Sequence, residues 1–145
     1  MKRLAIFALL LALTGCSGTG ETSLGQGVVV TGEGADTSVT VCALTLDGEG
    51  RIAAVRWDTA ESDGAVSKKQ QGDQYGMKGA SPIGKEWHEQ VAALEEYAVG
   101  KTPAELASMT LTDRGAPAAE ELTSSCTIAV GDFLAALDAA AKAAK

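Results

Sequence analysis

Histidine is almost missing from this chain: His88 is the single one in 145 residues. A HExxH zinc site needs two histidines one helical turn apart, so Glu86-Trp87-His88-Glu89-Gln90 does not supply one. A Ser–His–Asp triad would have to use His88, and no serine stands in a nucleophile elbow. His88 therefore reads as a solvated helix residue. No CxxC pair, GxGxxG fingerprint or P-loop occurs, so the sequence offers neither catalytic residues nor a metal site. The adjacent acids Glu95-Glu96 and Glu120-Glu121 do not face each other on a helix, and they read as a solvated acidic face. Aromatics make up only 4% of the chain. Its core must be built mainly from Val, Leu, Ile and Ala, and each Trp or Tyr carries more information than usual. No apolar run approaches the roughly 20 residues that a membrane-spanning helix needs.

The longest apolar run is informative for its place. Lys2 and Arg3 precede residues 4–13 (LAIFALLLAL), and Leu13-Thr14-Gly15-Cys16 follows. A positive start, a short apolar stretch and small residues read as an export signal. The ending resembles the bacterial lipobox. That resemblance implies cleavage before Cys16, acylation of its thiol, and anchorage to the extracytoplasmic face of the cell membrane. Two acyl chains hold where one would not. Residues 1–15 are thus expected to be a lipoprotein signal peptide, 16–36 a flexible tether and 37–145 the folded domain.

Cleavage leaves about 130 residues, one ordinary domain plus a tether. Of the 12 Lys and Arg, Lys2 and Arg3 lie in the signal; the remaining ten face 19 Asp and Glu, a net charge of −9. Such a surface argues against nucleic acid as a partner. Besides Cys16, two cysteines remain, Cys42 and Cys126. Outside the cytosol they are a candidate disulfide, which would contribute about 3–4 kcal/mol by closing a long loop. The alternative is two thiols packed as small apolar residues. The sequence leaves both open.

Residues 17–34 are rich in Gly, Ser and Thr and read as tether, with a short strand as an option at residues 25–31. Residues 37–46 (TSVTVCALTL) alternate and are β-branched, which predicts a strand. Asp47-Gly48-Glu49-Gly50 is a turn, and residues 51–58 return as the second strand. There Ala53, Val55 and Trp57 are expected on one face, with Ile52, Ala54 and Arg56 on the other. Residues 59–79 read as a long polar loop. A helix is expected from Ser81-Pro82 to Gly100, with Trp87, Val91, Leu94 and Ala98 in one stripe. Thr102-Pro103-Ala104-Glu105 is a capping box for a short second helix. Residues 127–130 suggest a short strand. A last helix, capped by Asp132, presents Phe133, Leu134, Leu137 and Ala141. Together these predict a small α+β domain: an antiparallel sheet built on the N-terminal hairpin, packed with two or three helices.

Two segments stand out chemically. Residues 68–87 (KKQQGDQYGMKGASPIGKEW) hold Lys68, Lys69, Lys78 and Lys85, a basic island in an acidic chain. Glycines there let backbone approach a ligand closely. Lysines beside a helix start favour a phosphate, and Tyr75, Met77 and Trp87 offer flat or soft apolar surface. The alternative is a surface loop whose aromatics only pack on the core. The second segment is residues 121–133 (ELTSSCTIAVGDF).

These segments carry a family resemblance. Tyr75-Gly76-Met77-Lys78, Ser81-Pro82-Ile83-Gly84-Lys85-Glu86-Trp87, Gln90, Gly100-Lys101-Thr102 and Leu122-Thr123-Ser124-Ser125-Cys126-Thr127-Ile128 resemble exported bacterial proteins related to the FMN-binding domain. The similarity runs over about residues 37–145. It implies FMN as cofactor, bound covalently or non-covalently, a separate flavin transferase and a redox partner as further partners, and electron transfer as the role. In that family FMN is joined through a phosphodiester to a Thr or Ser in a Ser-Gly-Ala-Thr-like motif. Here Ser124-Ser125-Cys126-Thr127 would correspond, with Thr127 as the attachment residue. The motif departs from the pattern at Ser125 and Cys126, where glycine and alanine are expected. The resemblance further implies Trp57, Tyr75 or Trp87 against the flavin ring and Lys78 or Lys85 near the phosphate. The alternative is a non-enzymatic envelope or binding lipoprotein that kept the fold and lost the flavin, with a Cys42–Cys126 bond holding the vacated site shut.

Overall fold

The computed structural model describes residues 20–62, 64 and 66–145. The expected signal peptide and Cys16 lie outside the described residues. Three strands form one antiparallel sheet in the order β1 (Ser23–Thr31), β2 (Ser38–Leu46), β3 (Ile52–Glu61). Five helices follow: α1 (Lys68–Gln71), α2 (Trp87–Ala98), α3 (Pro103–Ala107), α4 (Glu120–Thr123) and α5 (Gly131–Ala143). The fold is α+β. No helix among the described residues is long and apolar enough to cross a membrane.

The β2–β3 hairpin closes where expected. Asp47 Oδ1 accepts the backbone N–H groups of Glu49 and Arg51, both at 2.9 Å, which holds the turn. One detail differs from simple alternation. The register steps from Thr45↔Ala54 to Leu46↔Ile52, so β3 carries an extra residue. This bulge turns Ile52 to the buried side with Val55 and Trp57, and Ala53 outward.

The stretch read as tether contributes a whole strand. β1 pairs along its length with β2, from Ser23↔Leu46 to Thr31↔Ser38. Its glycines serve packing. A Cβ on Gly27 would lie 1.9 Å from the carbonyl oxygen of Ala136, and one on Gly25 would lie 2.0 Å from that of Ala140. Glycine on the strand and alanine on α5 let the helix backbone press onto the sheet. The buried face of α5 is accordingly Phe133, Ala136, Leu137 and Ala140, with Leu134 and Ala141 at its margin. The helix begins after Val130; Asp132 sits in its first turn and accepts a hydrogen bond from Thr31 Oγ1 at 3.3 Å.

The free edge of β3 is blunted by side chains. Glu95 on α2 accepts the Trp57 backbone N–H at 2.8 Å, and Lys69 donates to the Trp57 carbonyl at 2.9 Å. Lys69 also pairs with Glu95, and Arg56 does so at 3.3 Å. Glu95 is thus a buried, satisfied carboxylate rather than part of a solvated face. The Trp57 indole donates to the Phe133 carbonyl at 2.9 Å.

α2 starts at Trp87, six residues beyond the expected cap. The Glu86 backbone N–H donates to Glu89 Oε2 at 2.7 Å, while the Glu86 carboxylate takes the backbone N–H groups of Met77 and Lys78 at 2.8 and 3.1 Å. Glu86 both opens the helix and holds the preceding loop. Ser81 lies in that loop, where its N–H donates to the Met77 carbonyl at 2.9 Å. The Thr102/Glu105 capping box forms as expected. Residues 127–130 form no strand and run irregularly into α5.

Candidate functional site

The loop before α2, the start of α2 and the segment after α4 surround a cavity of about 460 Å³. That size falls within the roughly 300–1,000 Å³ of small-molecule sites. Tyr75, Met77 and Trp87 supply its aromatic and soft wall, Thr127 and Ile128 the opposite side, and Lys68 a positive charge. The Tyr75 and Trp87 rings meet edge-on, 6.5 Å between centroids at 61°. Trp87 in turn meets Phe133 at 5.9 Å, so the wall is braced by the core.

Gln90 organises the polar side. It is fully buried. Its Oε1 accepts both the backbone N–H of Thr127, at 2.8 Å, and the Thr127 hydroxyl, at 3.2 Å. Its Nε2 donates to Ser81 Oγ at 3.2 Å and to the Lys85 carbonyl at 3.1 Å. One amide therefore ties the loop of residues 77–85 to the segment carrying Thr127. A buried amide satisfied this fully fixes the position of the hydroxyl.

Lys68 Nζ lies 5.2 Å from the Tyr75 ring centroid and 5.9 Å from that of Trp87, and it pairs with Glu61 at 2.7 Å. Burial pulls its pKa down. The Glu61 carboxylate and the Tyr75 hydroxyl outweigh that, and the net shift is upward. The ammonium is charged at neutral pH.

Of the residues expected to form a site, the structure brings Tyr75, Trp87 and Thr127 together. Trp57 is sealed in the core. Lys78 and Lys85 do not line the cavity; their backbone groups do the local work, on Glu86 and Gln90. Ser124 is exposed at the end of α4, and the Ser125 hydroxyl turns back to the Leu122 carbonyl at 3.3 Å. Neither serine lines the cavity. The sequence marks Gln90 only within the family resemblance and Lys68 only as part of a basic island.

Cys42 and Cys126 are both buried free thiols. Cys42 sits in the sheet between Gly27 and Trp57, where burial and then the Glu95 charge push its pKa up to about 12. Burial raises Cys126 to about 11, against a hydrogen bond from the Ile128 backbone. Each packs as a small apolar side chain, the second of the two options that the sequence leaves open. His88 lies 3.9 Å from the exposed Asp73, and its Nδ1 has no partner among the described residues. No cluster of three or more His, Cys, Asp or Glu side chains able to hold a metal occurs among the described residues.

A second depression, of about 470 Å³, adjoins the first and shares Pro82 and Thr127 with it. Thr127 stands on the wall between the two.

No family model matches this chain, and no solved structure matches it. A stretch of 40 residues, 28% of the chain, is 55% identical to part of a chlorophenol reductase of Desulfitobacterium hafniense. The stretch covers 12% of that protein, so the similarity spans about an eighth of the relative's length.

Proposed function

We propose that this chain is a flavin mononucleotide carrier, tethered through Cys16 to the outer face of a membrane and working in electron transfer. One observation carries the reading. A threonine hydroxyl, held by a buried amide, belongs to a residue that lines a cavity walled by Tyr75, Trp87 and Met77. The residues fit the group. The aromatic wall suits a flat ring, and Thr127 offers the oxygen that a phosphate ester requires. Bound flavin would supply the redox chemistry.

The chain's own residues would bind and orient. Trp87, buried and backed by Phe133, keeps water from one side of the cavity. Gln90 fixes the Thr127 hydroxyl. Lys68 brings a positive charge beside the aromatic wall. Ser125 and Cys126, the departures from the expected motif, do not count against the reading. No non-glycine residue among the described ones has positive φ, so the backbone at Ser125 makes no demand for glycine. Cys126 fits inward without exposure. The 40-residue match adds little here, because the activity in the relative's name belongs to that protein.

The test is direct. The full chain is produced with and without a flavin transferase, and its intact mass and absorbance are read. Covalent attachment, in which the Thr127 oxygen loses its proton and displaces the nucleotide leaving group of a flavin dinucleotide supplied with the transferase, gives a mass gain that Thr127→Ala abolishes. Reversible binding gives a chain that takes up added FMN. A colourless chain that gains no mass and binds no FMN would overturn the flavin reading.

A further inference from the structure

The second depression has a character of its own. It is lined by Thr112, Asp113, Arg114, Thr123 and Cys126 beyond the shared Pro82 and Thr127. Arg114 rides on a tight turn. Gly115 N–H donates to the Thr112 carbonyl at 2.8 Å, and Thr112 N–H to the Ala116 carbonyl at 2.8 Å. Gly115 has φ +76°, a conformation that glycine adopts without strain. The Val130 N–H donates to the Gly115 carbonyl at 3.0 Å, which straps this turn to the segment carrying Thr127.

The other arginines among the described residues are engaged. Arg51 pairs with Glu49 and Glu105, and Arg56 with Glu95. Arg114 makes no hydrogen bond or ion pair through its side chain among the described residues, not even with its neighbour Asp113. On the other side of Thr127, Lys68 is partnered by Glu61. Lys78 and Lys85 line neither depression.

Resting on the flavin reading, we propose that the second depression is the phosphate subsite and that Arg114 selects FMN over flavin lacking a phosphate. The ring occupies the Tyr75–Trp87 cavity, the chain of the nucleotide runs towards Thr127, and the phosphate lies between the Thr127 oxygen and the guanidinium. A planar guanidinium forms paired, charge-assisted hydrogen bonds with phosphate oxygens, which an ammonium does not. Asp113 beside it moderates the local positive charge.

The experiment compares FMN with riboflavin on the full chain in detergent, made without a flavin transferase, by flavin fluorescence quenching. The wild type is expected to prefer FMN by about tenfold or more. Arg114→Gln is expected to remove that preference and leave the riboflavin Kd unchanged. Asp113→Asn is expected to raise FMN affinity. Arg114 is exposed, so its variant should unfold at the wild-type temperature. Where flavin joins the chain only through the transferase, the rate of mass gain replaces the Kd, and Arg114→Gln is expected to slow it about tenfold. An Arg114→Gln chain that keeps the wild-type preference, or the wild-type rate, overturns this inference and leaves the flavin reading standing. A wild type that takes up no flavin by either route overturns both.

Discussion

Gln90 and Thr127, 37 residues apart, are joined by two hydrogen bonds to one carbonyl oxygen: the Thr127 N–H at 2.8 Å and its hydroxyl at 3.2 Å. Because Gln90 also holds Ser81 and Lys85, it sets where the loop of residues 77–85 lies against Thr127. Gln90→Leu keeps the bulk and removes every one of these bonds. It is expected to cost about 2 kcal/mol or more, since the partner groups lose their bonds. It should also reduce flavin uptake beyond what lost stability explains. Thr127→Val is the comparison: it removes only the hydroxyl, should destabilise less, and should abolish covalent attachment. Urea unfolding and intact mass separate the two effects.

Gly27 makes the packing of α5 falsifiable. Gly27→Ala places a methyl where the Ala136 carbonyl already stands, and helix and sheet must separate. Overpacking of this kind costs about 1–3 kcal/mol, and rigid backbone on both sides puts this case at the upper end. Gly79→Ala meets nothing within 4 Å and has no positive φ, so it should change little. Equal melting temperatures for the two variants would disprove the close approach.

The same residue shows why sequence reading reached only part of the fold. The β2–β3 hairpin was legible because its signals are local: alternation, and an aspartate that bonds its own turn. Gly25 and Gly27 looked like tether because their reason lies in Ala140 and Ala136, more than a hundred residues away. Ser81-Pro82 imitates a helix start, yet Glu86 takes that role because its carboxylate also gathers two loop amides. In the site, Tyr75 and Trp87 are legible as flat apolar surface in a glycine-rich basic segment, whereas Thr127 is marked by the family resemblance alone. Lys78 and Lys85 are suggested by charge and by the resemblance, yet neither lines the cavity. Nothing local in the sequence marks Arg114, because only the strap between Gly115 and Val130 brings its turn beside the segment carrying Thr127.

Cys42 and Cys126 give a prediction in pH. Burial raises both folded-state pKa values above the ordinary thiol value of 9.0, to about 12 and about 11. A raised pKa means that the folded state favours the neutral thiol. This stabilising effect is complete below pH 9 and is lost as pH climbs through 11 to 12. Stability should therefore fall over that alkaline window, and Cys42→Ala should flatten the fall. At pH 8 both thiols should resist alkylation in the folded chain and react in denaturant. Under non-reducing conditions the mass should match two free thiols.

Lys68 and Glu61 form a pair whose two halves should move a bound flavin in opposite directions. Lys68 Nζ lies within 6 Å of the Tyr75 and Trp87 ring centroids, and Glu61 offsets its charge from 2.7 Å away. Positive charge beside a flavin favours the electron-rich reduced form. Lys68→Met removes that charge, so the reduction midpoint should become more negative. Glu61→Gln leaves the ammonium uncompensated, and the midpoint should become more positive. Opposite signs are the informative result, because general loosening of the site would shift both variants the same way. Redox titration of the flavin-loaded wild type and the two variants reads the signs directly. Shifts of one sign in both would show that Lys68 does not act on the ring through its charge.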